Sequence, residues 1–378
     1  NFELLLEDVQ PEDVRDEVLK DIWELDKLNI ELKTTPTKNY RTIRFTEIYQ
    51  ADIKEELKKA IYVQLKQENV SSVAREMTAM RRLSRYLKEK HPEIESCQDI
   101  SRAIVEDYLT YLNTESLQTK EFRSELNRLR SVLEMVGKLY HYEQLDNIIL
   151  NRDIPPSTRA EFKTYSDAEL KRINSFLVKV DEQTARLMII HQMLGTRISD
   201  TLTLRTDCLI EKGNEVIIRI NQPKSHYYEK PISMELASLI KAAIKYTKEK
   251  IGDTEYIFAN ENNPKVPWTY GRICDRILRL IYKEDIRDDN GQLFGFNSHM
   301  YRHYYGVKLT EMHLDDWTIA RLLGHSSLRN VRYYRKMSNQ ILADETRAVR
   351  NKLSQIILDN LDGWGEEYEQ IRYDDSLQ

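Results

Sequence analysis

No apolar run in this 378-residue chain is long enough to span a bilayer, and no signal-peptide h-region is visible. That argues against a membrane protein. Cysteine is scarce: Cys97, Cys208 and Cys274 are scattered, odd in number and without a C-x-x-C pair. They read as free thiols of a reducing cytosol rather than as bridges or zinc ligands. No internal repeat or low-complexity segment is present. An excess of base is also lacking. The net charge is −5 and the pI near 6.0, which taken whole argues against a nucleic-acid partner. The distribution of charge argues the other way. Residues 1–30 carry −7 and residues 361–378 carry −5, leaving +7 on residues 31–360. Local charge decides phosphate binding, so acidic ends flank a basic middle suited to it. Residue 1 is Asn, as expected of a piece of a longer chain.

Residues 46–140 carry apolar residues at helical spacing in four stretches: Ile53–Leu65, Val73–Leu87, Ile104–Leu112 and Leu126–Leu139. Arg81, Arg82, Arg85 and Lys88 lie on the remaining surface of the second, a candidate phosphate-contacting face. Before them, Val14, Leu19, Ile22, Trp23 and Leu25 suit a short helix. His141 to Phe162 holds Pro155-Pro156 and little periodicity, the profile of a linker. Ser166-Asp167-Ala168-Glu169 is a capping box that opens a new helix. Val216–Ile220 and Tyr227–Ile232 read as two strands, with Lys224 at the hairpin tip between them. Helices are expected near 234–250, 270–282 and after Tyr334.

The segment 297–336 carries the chemistry. It holds His299 and Arg302 three apart, His325 behind Leu323-Gly324, and Tyr334 nine residues later. Arg329, Arg332, Arg335 and Lys336 follow His325 with no acid among them. Arginine binds phosphate as a planar fork. Histidine moves protons near neutral pH. A tyrosine, with a pKa of about 10, becomes a nucleophile only where cations stabilise its anion. His299 and His303 have the spacing of the zinc motif H-E-x-x-H, but Met300 replaces its Glu and Arg302 would repel a metal, so no metal is expected. Taken alone, Arg197 beside Asp200 also suits a surface ion pair, and Lys224 an exposed turn.

Leu194-Gly195-Thr196-Arg197-Ile198-Ser199-Asp200, His299-x-x-Arg302 and Leu323-Gly324-His325 together resemble the three boxes of the tyrosine recombinases, the phage integrase family. Tyr334 sits where the family's nucleophile sits, and Lys224 resembles its catalytic lysine. The sequence departs in Ser298, usually Pro, and in Tyr304-Tyr305, usually smaller. The resemblance implies a mainly α fold with a small β-sheet (α+β). Together with the pattern along the chain it gives these domains: an acidic segment 1–45 of unknown role, a helical core-binding domain 46–140, a linker 141–163, a catalytic domain 164–345, and a C-terminal helix and acidic tail 346–378 as a candidate subunit contact. It implies catalysis by Arg197, Lys224, His299, Arg302, His325 and Tyr334 without cofactor or metal. The partners implied are double-stranded DNA, further copies forming a tetramer on paired sites, and accessory or partner recombinases. Such an enzyme serves a mobile element as integrase or transposase, on DNA in the cytoplasm. A type IB topoisomerase and a non-catalytic DNA-binding protein are the alternatives.

Overall fold

The computed structural model describes residues 15–38, 40–114, 122–156, 163–213, 215–222, 227–325 and 327–331. The chain divides into two compact units, Asn1–Ala160 and Glu161–Gln378.

The first unit is a helical bundle of α1 (Ala51–Gln67), α2 (Val70–Lys90), α3 (Arg102–Thr114) and α4 (Arg123–Tyr140), the four helices expected. Both α1 and α2 pack on α4. Asn69 caps α2 by accepting from Ser71 N at 2.9 Å. The short helix expected around residues 14–25 does not form. Ile22–Glu24 is strand β1, paired antiparallel with β2 (Thr42–Arg44). Trp23 faces inward between two outward neighbours and packs at a tilt against Phe45 with centroids 4.7 Å apart, so a period of two wins over a period of 3.6. The stretch expected as a linker from His141 is packed as far as Ile154. Leu145, Ile148, Ile149 and Ile154 join the helical core, and Arg102 clasps Asp153 in a fork at 2.5 and 2.8 Å. Buried isoleucines hold the segment down where composition suggests a connector.

The second unit starts α5 (Asp167–Phe176) at the expected capping box, Ser166 Oγ accepting from Glu169 N at 3.1 Å. Next come α6 (Glu182–Leu194), α7 (Ile198–Leu202), and an antiparallel sheet β3-β4-β5 (Leu209–Lys212, Glu215–Asn221, Tyr227–Ile232). The two predicted strands are β4 and β5; β3 is additional. Val216, Ile218 and Ile220 of β4 point into the core at a period of two. Their partners across the ladder include Lys230 opposite Ile218 and Tyr228 opposite Ile220. Helix α8 (Met234–Lys250) precedes a small hairpin, β6 (Ala259–Asn260) and β7 (Asn263–Pro267). Helices α9 (Tyr270–Lys283), α10 (Ser298–Glu311) and α11 (Asp316–Leu323) follow. Residues 163–167 lie along α10. His303 Nδ1 donates to Lys163 O at 2.9 Å, and Tyr165 OH donates to Gly295 O at 2.9 Å while accepting from Asn297 N at 2.7 Å. Asp167 accepts from Tyr304 OH at 2.8 Å and from Lys308 at 3.1 Å. The expected final helix after Tyr334 lies outside the described residues.

Candidate active site

Two helix ends of the same build form the site. Helix α6 runs into Gly195 at φ +60°, and α11 into Gly324 at φ +63°. Each glycine reverses the chain in the left-handed region that residues with a Cβ avoid. Each is also crowded. A Cβ on Gly195 would lie 2.4 Å from the Tyr305 ring, and one on Gly324 2.4 Å from Tyr228 and 2.6 Å from the Gln222 amide. The first turn delivers Arg197 to the N-cap of α7, its side chain partly exposed and 3.8 Å from buried Asp200. The second delivers His325, whose N–H closes on Ala320 O at 2.8 Å.

Helix α10 supplies the rest. Asn297 caps it by accepting from His299 N at 2.9 Å. One turn on, Arg302 is 1% exposed. Its guanidinium donates to Gly195 O at 2.9 Å, to Leu323 O at 2.7 Å and to His325 Nε2 at 3.1 Å. Arg302 therefore joins both glycine turns. His299 meets His303 edge to face with centroids 4.5 Å apart.

Burial, then the fields of neighbouring cations and imidazoles, lowers His299 to about 4 and His325 to about 3. Arg197 and Arg302 contribute to both shifts, so the four side chains share one electrostatic field. Both imidazoles are neutral at pH 7, able to accept or relay a proton. Burial raises the Asp200 carboxyl, an effect the nearby Arg197 opposes. Fixed guanidinium groups with neutral imidazoles suit an anion that gains charge during reaction.

A buried polar chain ties the boxes together. Thr196 Oγ1 and Thr201 Oγ1 are 2.7 Å apart, Thr201 is 2.9 Å from His191 Nδ1, and His191 Nε2 donates to Ser298 O at 3.1 Å. His191 is fully buried and structural. The departure at Tyr304-Tyr305 acquires a reason. Tyr304 binds Asp167, and Tyr305 fills the space beside Gly195.

Arg197, His299, Arg302 and His325 thus lie together. Lys224, Tyr334, Arg332, Arg335 and Lys336 lie outside the described residues. Arg329 is exposed on a 3-10 turn, Leu328–Asn330. In the first unit the expected DNA-binding face is largely engaged. Arg82 pairs with Glu125 at 2.7 Å, Arg81 donates to Arg44 O at 2.7 Å, Arg85 reaches Glu47 at 3.5 Å, and Lys88 lies 3.9 Å from the Tyr49 ring centroid. Sequence reasoning does not single out Gln222, Tyr228 or Lys230. Gln222 donates to Gly324 O at 2.9 Å, bracing the hairpin base on the His325 turn. The period of two along β5 is the available signal, since it points Tyr228 and Lys230 inward together.

Residues 163–340 match the profile of the Phage integrase family. Transposase B from transposon Tn554 of Staphylococcus aureus is 25% identical over 342 residues, covering 88% of this chain and 53% of that protein. Transposase B from PsiTn554 of Staphylococcus aureus is 26% identical over 346 residues, with the same coverages. The chain spans about half the length of these curated relatives. Among solved structures, XerH site-specific recombinase bound to a palindromic difH substrate superposes with a TM-score of 0.56 at 17% identity, covering 80% of this chain and 91% of that one. The mainly helical fold with small sheets is shared with it. The boxes and the side chains they bring together thus lie within residues 163–340, the segment that matches the phage integrase family profile.

Proposed function

We propose that this protein is a site-specific DNA recombinase of a mobile element, an integrase or transposase, that cuts and rejoins strands through a 3′-phosphotyrosyl intermediate. The observation that carries this reading is the convergence of Arg197, His299, Arg302 and His325 on two glycine turns joined by Arg302. The likeness to transposases of Tn554 supports the mobile-element role. The phenolic oxygen of Tyr334 attacks the scissile phosphorus, and the bond to the 5′ oxygen breaks. Arg197 and Arg302 stabilise the charge that gathers on the non-bridging oxygens. His299 takes the phenol proton, His325 hydrogen-bonds a phosphate oxygen, and Lys224 protonates the departing 5′ oxygen. A 5′ hydroxyl then attacks the phosphotyrosine and releases the enzyme. The bond energy is conserved, so ATP is not required. The basic residues Arg329, Arg332, Arg335 and Lys336, with Lys88 of α2, contact the DNA backbone. Four copies assemble on two sites, with the apolar residues Leu353, Ile356, Ile357 and Leu361 as a subunit contact.

A nicked duplex carrying a cognate site tests the reading, because loss of the short strand traps the covalent adduct. The adduct should form with the unsubstituted protein and with Tyr333→Phe but vanish in Tyr334→Phe, with DNA binding retained. No adduct on any DNA bound by the protein would leave a binding-only role. Loss in Tyr333→Phe alone would move the nucleophile.

A further inference from the structure

Two buried cations, not one, span the two helix ends of the site. Arg302 holds Gly195 O and Leu323 O. Lys230 Nζ donates to the carbonyls one residue earlier on each helix, Leu194 O and, at 3.1 Å, Leu322 O. Both helices terminate here, so these carbonyls belong to the turn that lacks intrahelical partners and carries the negative end of the dipole. Lys230 is 3% exposed, and its ammonium lies 5.0 Å from the centroid of the Tyr305 ring that packs on Gly195. It reaches this place because it faces inward from β5, opposite Ile218.

We propose that Lys230 is a positioning residue for strand cleavage. By tying Leu194 to Leu322 it fixes the turn that presents Arg197 against the turn that presents His325. It also seats β5, one arm of the hairpin bearing Lys224, on both turns. A buried lysine without partners would be costly; two carbonyls offset that cost here. Burial, aided by the charge of Arg302, lowers Lys230 to about 7. An uncharged amine still has two N–H donors for its two acceptors, so the bridge survives loss of the proton. Lys230 is engaged with backbone on both helices, which suits a brace rather than a proton donor.

The inference rests on the proposed cleavage reaction, and the test keeps the two apart. The unsubstituted protein and Lys230→Met would be compared on the nicked duplex in single turnover, with an ordinary 5′ oxygen and with sulfur in that bridging position. A thiolate leaves without being protonated, so sulfur rescues a missing proton donor but not a misplaced site. Lys230→Met should bind DNA as the unsubstituted protein does and cleave about 100-fold more slowly on both substrates. Lys224→Ala should instead be rescued by sulfur. Rescue of Lys230→Met by sulfur, or a normal rate on both substrates, would overturn the proposal. Should Lys230→Met fail to fold, Lys230→Gln, which keeps two amide N–H donors, decides by the same criteria: an equal loss on both substrates, smaller than for Met, is expected. Absence of any adduct from the unsubstituted protein would refute the cleavage reading alone. The brace is then read by amide hydrogen exchange. Exchange at residues 195–198 and 324–325 should quicken in the variant, while α8 is unchanged. Unchanged exchange at both turns would refute the brace itself.

Discussion

The guanidinium of Arg302 stands 3.1 Å from Nε2 of His325. A guanidinium can only donate, so Nε2 must carry the lone pair and Nδ1 the proton. Arg302 thereby selects the tautomer of His325 as well as its place. Nitrogen-15 NMR of the imidazoles should show His325 as the Nδ1–H form at pH 7, with no titration until the pH nears 3. A midpoint near 6.5, the ordinary histidine value, would contradict this geometry. His325→Gln, which retains hydrogen-bonding capacity, should cleave faster than His325→Ala.

Alanine at the two turn glycines should be unequal to alanine at an open one. Gly213 also has positive φ, at +63°, but nothing lies within 4 Å of its Cβ position. Gly213→Ala should cost about 1 kcal/mol for the left-handed backbone. Gly195→Ala and Gly324→Ala add a clash with Tyr305 or Tyr228 and should cost at least about 2 kcal/mol. Urea denaturation measures the difference. Tyr305→Ala should recover part of the loss in Gly195→Ala and none in Gly324→Ala.

Acid should destabilise the second unit earlier than its carboxylates require. His191 is lowered to about 4 by burial, and His299 to about 4. An unfolded histidine titrates near 6.5. Between about pH 6.5 and 4 the unfolded chain therefore binds protons that the folded chain refuses. Stability is fully present above that window and falls as the pH drops through it, by up to about 1.4 kcal/mol per pH unit for each such group. Urea midpoints between pH 8 and 4.5 would show the fall. His191→Leu should start lower and fall less steeply; an unchanged slope would remove His191 from this account.

The cations of α2 should separate into two classes. Arg82 pairs with Glu125, which also accepts from Tyr108 OH at 3.3 Å. Arg82→Ala should lower the melting temperature and leave the salt dependence of DNA binding unchanged. Lys88 is exposed and sets its ammonium over the Tyr49 ring rather than against a carboxylate. Lys88→Ala should reduce the slope of log affinity against log salt by about 1. A slope change for Arg82→Ala instead would show that DNA displaces Glu125.

Periodicity and boxes make most of the second unit legible. The helices α8 and α9 and the strands β4 and β5 follow from local apolar patterns that no distant contact overrides. Arg197, His299, Arg302 and His325 are legible because they stand in boxes that resemble those of a known family. The braces are not. His191 to Ser298 joins residues 107 apart, and Lys230 to Leu322 joins residues 92 apart. Nothing local marks such a pairing, because a backbone carbonyl looks the same at every position. The strand at Trp23 escapes a local reading for a related reason: its partner, Ile43, is supplied by a distant segment.

The lacing of residues 163–167 along α10 sets where this unit can be cut out as a fragment. Lys163 O, Tyr165 OH and the Asp167 carboxylate engage His303, Asn297, Tyr304 and Lys308, from the cap of the helix to its last turn. A cloned fragment begun at residue 168 would strip all three fastenings from the helix that bears His299 and Arg302. One begun a few residues before Lys163 would keep them. A handle or fusion partner is therefore best joined upstream of Lys163.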